Sequence, residues 1–161
     1  MSMTILNKRF YVIMIAGLAG GLSEIFWIGI YSAMTHTGGL EISRMITATV
    51  VPALADLSLA PLLGVVIHLV LSVLLAFLCY TVFIEPVSRR FGHAGILPGS
   101  MVVLAGVWAI NFLVILPVIN PAFVTLLPFL VTLLSKMLFG WAMGSVISRD
   151  LRNSMTGSFQ D

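Results

Sequence analysis

The sequence predicts an all-α membrane protein: a bundle of four bilayer-crossing helices with both termini on the cytoplasmic side. Three observations carry this. The chain contains four long apolar runs. Only 9% of its 161 residues are charged, against 60% hydrophobic, and mean hydropathy is +1.13. A soluble domain usually carries about 25% charged residues, and a water-facing fold of this size has no interior large enough for so much apolar surface. The basic residues gather in short clusters beside the apolar runs, the pattern of membrane topology and not of a nucleic-acid patch.

The runs are Phe10–Met34, Pro61–Ile84, Ala94–Ile119 and Ala122–Ser148. A crossing needs about 20 apolar residues at roughly 1.5 Å rise each, and each run exceeds that. Glu24 interrupts the first and Lys136 the fourth; the second and third contain no Asp, Glu, Lys or Arg. Barrel strands are shorter and alternate, which these runs do not. One transmembrane domain over 1–152 follows, with a polar tail at 153–161. Ser32-Ala33 has the small residues of a signal cleavage site. The run before it is too long for a signal core and carries Glu24, so an uncleaved anchor is expected.

Orientation follows from positive charge. Lys8 and Arg9 precede the first run, Arg89 and Arg90 lie between the second and third, and Arg149 and Arg152 follow the fourth. Four spans place all three clusters on one side. Arg44 stands alone on the other, beside Glu41 and Asp56. Tyr11, Tyr31 and Tyr80 fall near run ends, as interfacial aromatics do.

The segment 35–60 is the one long external loop. Within it, Ile42, Met45, Ile46 and Thr49 share a helical face, which predicts a short interfacial helix that Gly38-Gly39 opens and Pro52 ends. The loop Glu85–His93 is short, with a sharp stop at Pro86. The link around Pro117, Asn120 and Pro121 is tight, so the third and fourth helices form an antiparallel hairpin.

Small and polar residues recur every four positions in two helices: Gly64, His68, Ser72 and Ala76 in the second, and Thr132, Lys136, Gly140 and Gly144 in the fourth. A proline, Pro61 or Pro128, precedes each polar residue by two turns. This is compatible with two parallel helical-hairpin repeats, or with the general abundance of small residues in membrane helices. Gly17 with Gly21, and Gly140 with Gly144, make two G-x-x-x-G pairs for close helix contact, within the bundle or between copies. Cys79 lies inside a run and reads as a small core residue.

The candidate site is the set of polar residues inside the runs: Glu24, His68, Asn111 and Lys136. Glu24 lies about 15 residues beyond Arg9, and Lys136 about 13 before Arg149, so their depths match within about a helical turn. A lone charge at that depth costs at least ~2.5–3.5 kcal/mol, so both should face inward, as an ion pair fixing helix register, as a site for protons or a charged ligand, or opposite a partner protein's charge. His68 and Asn111 lie nearer the external side and, with Ser72 and Ser135, extend the polar centre. His68 suits an interhelical hydrogen bond or a titrating group; haem ligation would need a second histidine from elsewhere, because His36 and His93 lie at opposite surfaces.

No G-x-S-x-G, H-E-x-x-H, zinc-spaced Cys or His pair, or phosphate loop occurs. The expectation is a non-enzyme with no cofactor and no metal, whose partners are the lipid bilayer and either further copies or other membrane subunits, with no nucleic acid. Its function is expected to be an accessory or assembly subunit of a membrane complex. The alternatives are an oligomeric small transporter or proton-handling protein using Glu24, His68, Asn111 and Lys136, and a haem or quinone site at His68.

The segments Gly17-Leu-Ala-Gly-Gly-Leu-Ser-Glu-Ile-Phe-Trp27, Ile42-Ser-Arg-Met-Ile-Thr-Ala-Thr49 and Ser135-Lys-Met-Leu-Phe-Gly140 resemble those of small, uncharacterised bacterial four-helix inner-membrane proteins. The resemblance implies a multi-pass protein of the bacterial inner membrane and no particular activity.

Overall fold

The computed structural model describes the backbone of residues 3–35 and 38–157, with side chains over 7–35 and 38–152. His36 and the tail residues 158–161 lie outside it. Helices account for nearly all of the described residues, and no strand occurs among them. They are α1 (Met3–Thr35), α2 (Gly39–Val50), α3 (Ala60–Phe91), α4 (His93–Ile119), α5 (Pro121–Leu126) and α6 (Phe129–Gly157). Four of them, α1, α3, α4 and α6, are long and apolar enough to cross a membrane.

Two boundaries differ from the sequence expectation through proline, the end of the second run and the start of the fourth. Pro86 does not stop its helix: α3 continues to Phe91. The N–H of Glu85, just before the proline, reaches back five residues to the Tyr80 carbonyl, a π turn over Tyr80–Ile84. Leu116, before Pro117, does the same to Asn111 over Asn111–Ile115, so α4 runs through this proline to Ile119, where the sequence expectation ends it. The wider turn makes room for a ring that would otherwise strike the preceding turn. The reversal after α3 falls instead at Gly92, whose φ of 62° suits glycine. Pro128 does break its run: Leu127 before it is extended, which separates α5 from α6. At the chain end, the helix carries on to Gly157, through the start of the expected tail.

The 35–60 connection is largely helical. α2 ends where Val51 leaves the helical conformation before Pro52, as the sequence predicts. Its buried residues are Ile42 and Thr47, not the expected face of Ile42, Met45, Ile46 and Thr49. The difference arises because α2 packs on α3 and not on an open interface. A Cβ at Gly64 would collide with the Ser43 carbonyl, so this glycine lets α2 cross α3. The Thr47 hydroxyl donates to the Ala60 carbonyl at 2.6 Å.

α1 packs against both α3 and α6, and α6 also against α4. A methyl group added at Gly17 would come within 2.7 Å of Val73 Cα, and one at Gly140 within 2.8 Å of Met101 Cα. Gly21 meets Ser72, and Gly144 meets Ser100. The two small pairs therefore serve contacts inside the bundle, α1 to α3 and α6 to α4. Gly20 faces the other neighbour of α1, against the Phe139 ring of α6.

Burial is uneven along the bundle. The main apolar cluster comprises Ile13, Ala16, Ala76, Cys79, Ile84, Ile96, Leu104, Phe139, Met143 and Ile147. All of these lie toward the end that carries Lys8 and Arg152. Toward α2, the buried apolar residues are Ile42, Ala60, Phe112, Leu116 and Leu127, and none joins that cluster. We call these the terminal half and the loop half.

Candidate functional site

Glu24 sits where the two halves meet. It is one helical turn beyond Gly20 and Gly21, so the close approach of α3 and α6 there brings their side chains to it. Its residue exposure is 3%. Ser135 Oγ donates to Oε1 at 2.8 Å, and Lys136 Nζ donates to Oε2 at 2.7 Å. Both donors come from α6, so one carboxylate joins α1 to α6 through both oxygens. The Lys136 ammonium also lies 5.4 Å from the Phe139 ring centroid, where the ring face attracts a cation.

α3 supplies the third member. His68 Nε2 lies 3.3 Å from the Gly21 carbonyl and 3.6 Å from Glu24 Oε2. Both neighbours are acceptors, so this nitrogen carries the hydrogen and donates it to the Gly21 carbonyl. Ser72 Oγ donates to the His68 carbonyl at 2.7 Å, which keeps Ser72 folded against its own helix where Gly21 approaches. Glu24, His68 and Lys136 thus come together from three helices, with Ser135 completing the set.

Asn111 does not join them. It begins the π turn of α4, and no hydrogen bond links its side chain to Glu24, His68 or Lys136. α4 reaches the neighbourhood through Trp108 instead, whose Nε1 donates to Thr132 Oγ1 at 2.9 Å, while Thr132 Oγ1 donates to the Phe129 carbonyl. Trp27, one turn beyond Glu24, donates its Nε1 to the Val131 carbonyl at 3.0 Å. Both indoles therefore fasten the first turns of α6, just on the loop side of Lys136. Sequence reasoning missed Trp27 and Trp108, and took Thr132 only as a member of the small and polar stripe of the fourth run. The available signal was the indole N–H, which needs a partner once it is placed in an apolar run.

Several of the charges outside the runs pair at the bundle ends. Glu85 meets Arg89 at 2.9 Å and Arg9 at 3.8 Å, and Lys8 meets Asp150 at 3.2 Å. At the other end Arg44 stands 4.0 Å from Glu41. Asn120 caps α5 by accepting from the Phe123 N–H, and donates to Thr49 Oγ1 at 2.9 Å, tying α2 to the α4–α5 link.

The buried cluster contains one carboxylate, one ammonium and one imidazole. It has two chemical capacities. It can hold three helices in register, because each charge finds its partner on another helix. It also places two groups that can each carry a proton, Glu24 and His68, with polar atoms 3.6 Å apart, beyond a direct hydrogen bond. In comparisons with protein families, curated proteins and solved structures, nothing matches this chain.

Proposed function

We propose that the protein is a non-enzymatic accessory or assembly subunit of a membrane complex in the bacterial inner membrane, with cytoplasmic termini. The observation that carries this reading is the double engagement of Glu24. At 3% exposure, its two oxygens accept from Ser135 and Lys136. The most polar group of the interior holds helices together and is not offered to a ligand. The bilayer covers the exposed apolar faces. Only 17% of the most apolar stretch of α4 is buried within the chain, against 39% for α6, so α4 has the more free surface for further copies or other membrane subunits. Affinity purification of the full chain in mild detergent is the test. A stoichiometric membrane partner, or a defined oligomer, supports the reading; a monomer with no companion contradicts it.

The orientation is supported by charge: Lys8, Arg9, Arg89, Arg90, Arg149 and Arg152 lie at one end, and Arg44 with Glu41 and Asp56 at the other. Reporters fused after Arg152 and within Gly38-Gly39 should report opposite compartments. The parallel-repeat expectation gains no support from packing. The matching contacts, glycine pair on serine, belong to α1 with α3 and to α6 with α4. That equates the first long helix with the fourth, in reversed chain order, which a tandem duplication does not produce.

Proton handling is the second reading, and the proximity of His68 to Glu24 favours it. It needs an oligomer to enclose a path. Proton uptake into vesicles containing the purified protein, lost on Glu24→Gln, would establish it. The haem or quinone reading loses ground, because His68 Nε2 already faces two acceptors.

A further inference from the structure

An open-sided groove of about 470 Å³ at the terminal end of α3 is lined by Thr81, Glu85, Pro86, Arg89 and Arg90. Its charges are unequally used. Glu85 is already shared by Arg89 and Arg9. Arg90 has no carboxylate within ion-pair reach among the described residues; its guanidinium carbon lies 5.8 Å from the neighbouring Phe91 ring centroid. The Thr81 hydroxyl donates to the Phe77 and Leu78 carbonyls, so Thr81 forms wall and not donor. The free donors in the groove are therefore guanidinium N–H groups, and the groove carries an excess of positive charge.

The apolar surface leading to the groove has a matching arrangement. Leu74, Leu78 and Val82 are exposed and recur every four residues, and the same spacing continues to Pro86 and Arg90. An extended hydrocarbon chain lying on that stripe ends where the arginines begin. A guanidinium fork binds phosphate oxygens in pairs, and basic clusters at the end of a span are where anionic headgroups are held. We propose that this groove binds the phosphate headgroup of an anionic phospholipid, with one acyl chain along Leu74, Leu78 and Val82.

The test is native mass spectrometry of the full chain in mild detergent, titrated with phosphatidylglycerol or phosphatidylcholine of equal chain length. One phosphatidylglycerol should be retained in preference to phosphatidylcholine. Arg90→Ala and Arg90→Gln should each weaken that retention about fivefold, equivalent to about 1 kcal/mol per basic side chain at an anionic surface. Arg152→Ala removes the same charge at the same end outside the groove and should leave it unchanged. No preference between the lipids, or an equal loss in Arg152→Ala, overturns the proposal. So does displacement of the lipid by inorganic phosphate alone, which would assign the groove to a soluble anion.

Discussion

The terminal and loop halves of the bundle are held together by different means. In the terminal half, ten buried apolar side chains form one cluster, and the helices approach at Gly17 and Gly140 until backbone touches backbone. In the loop half, side-chain hydrogen bonds join the elements: Trp27 to Val131, Trp108 to Thr132, Thr47 to Ala60 and Asn120 to Thr49. Lipid is as apolar as leucine, so burial alone drives little helix association in a membrane. Close packing of small residues is one substitute and interhelical hydrogen bonding is another. Between its long helices this chain uses the first on the terminal side of Glu24; on the loop side it adds the second to the close approach of α2 and α3 at Gly64, and the Glu24–Lys136 ion pair stands at the junction.

The comparison can be broken most severely at the junction itself. Lys136→Met leaves the Glu24 carboxylate buried beside a neutral chain, and should cost about 3–5 kcal/mol, seen as early unfolding in a denaturing-detergent titration. A loss smaller than that of the packing variant below would show that the junction is not the main tie.

Next comes the terminal half. A methyl at Gly140 would meet Met101 Cα and the Ser100 carbonyl, both at 2.8 Å. Gly140→Ala should therefore cost about 1–3 kcal/mol. A Cβ at Gly106 or Gly29 meets nothing within 4 Å, so Gly106→Ala and Gly29→Ala should be tolerated. Equal thermal stability of all three variants would mean that α6 and α4 do not pack as described.

The loop half should yield smaller effects. Trp108→Phe removes one hydrogen bond to Thr132 and should cost about 1 kcal/mol, with the fluorescence of the remaining Trp27 and Trp141 following the same transition. Asn111→Leu should change stability by less than about 0.5 kcal/mol. A large loss there would place Asn111 in the polar cluster after all.

How much of this was legible in the sequence depends on the physics behind each feature. The four long helices follow from hydropathy. The meeting of Glu24 and Lys136 follows from equal depth and opposite charge. Proline was legible at Pro52, where α2 ends as expected, but not beside or within the long runs, where the same residue gives a π turn at Pro86 and Pro117 and a break at Pro128. The choice lies in whether the preceding N–H can reach back five residues, as those of Glu85 and Leu116 do. Nor was the assignment of glycines to neighbours. Gly17, Gly20 and Gly21 cover more of the α1 circumference than one partner can use, so α3 takes two and α6 takes one. Asn111 was grouped with the cluster by polarity and approximate depth, but depth alone does not set the direction in which a side chain projects.

The account turns on one coupling, that between Glu24 and Lys136 across α1 and α6. A double-mutant cycle of Glu24→Gln and Lys136→Met, followed by unfolding of the detergent-solubilised chain, measures it directly. The account predicts that each single change is costly and that the double variant recovers part of the loss, with a coupling of at least about 1 kcal/mol. Losses that simply add, within about 0.3 kcal/mol, would contradict it.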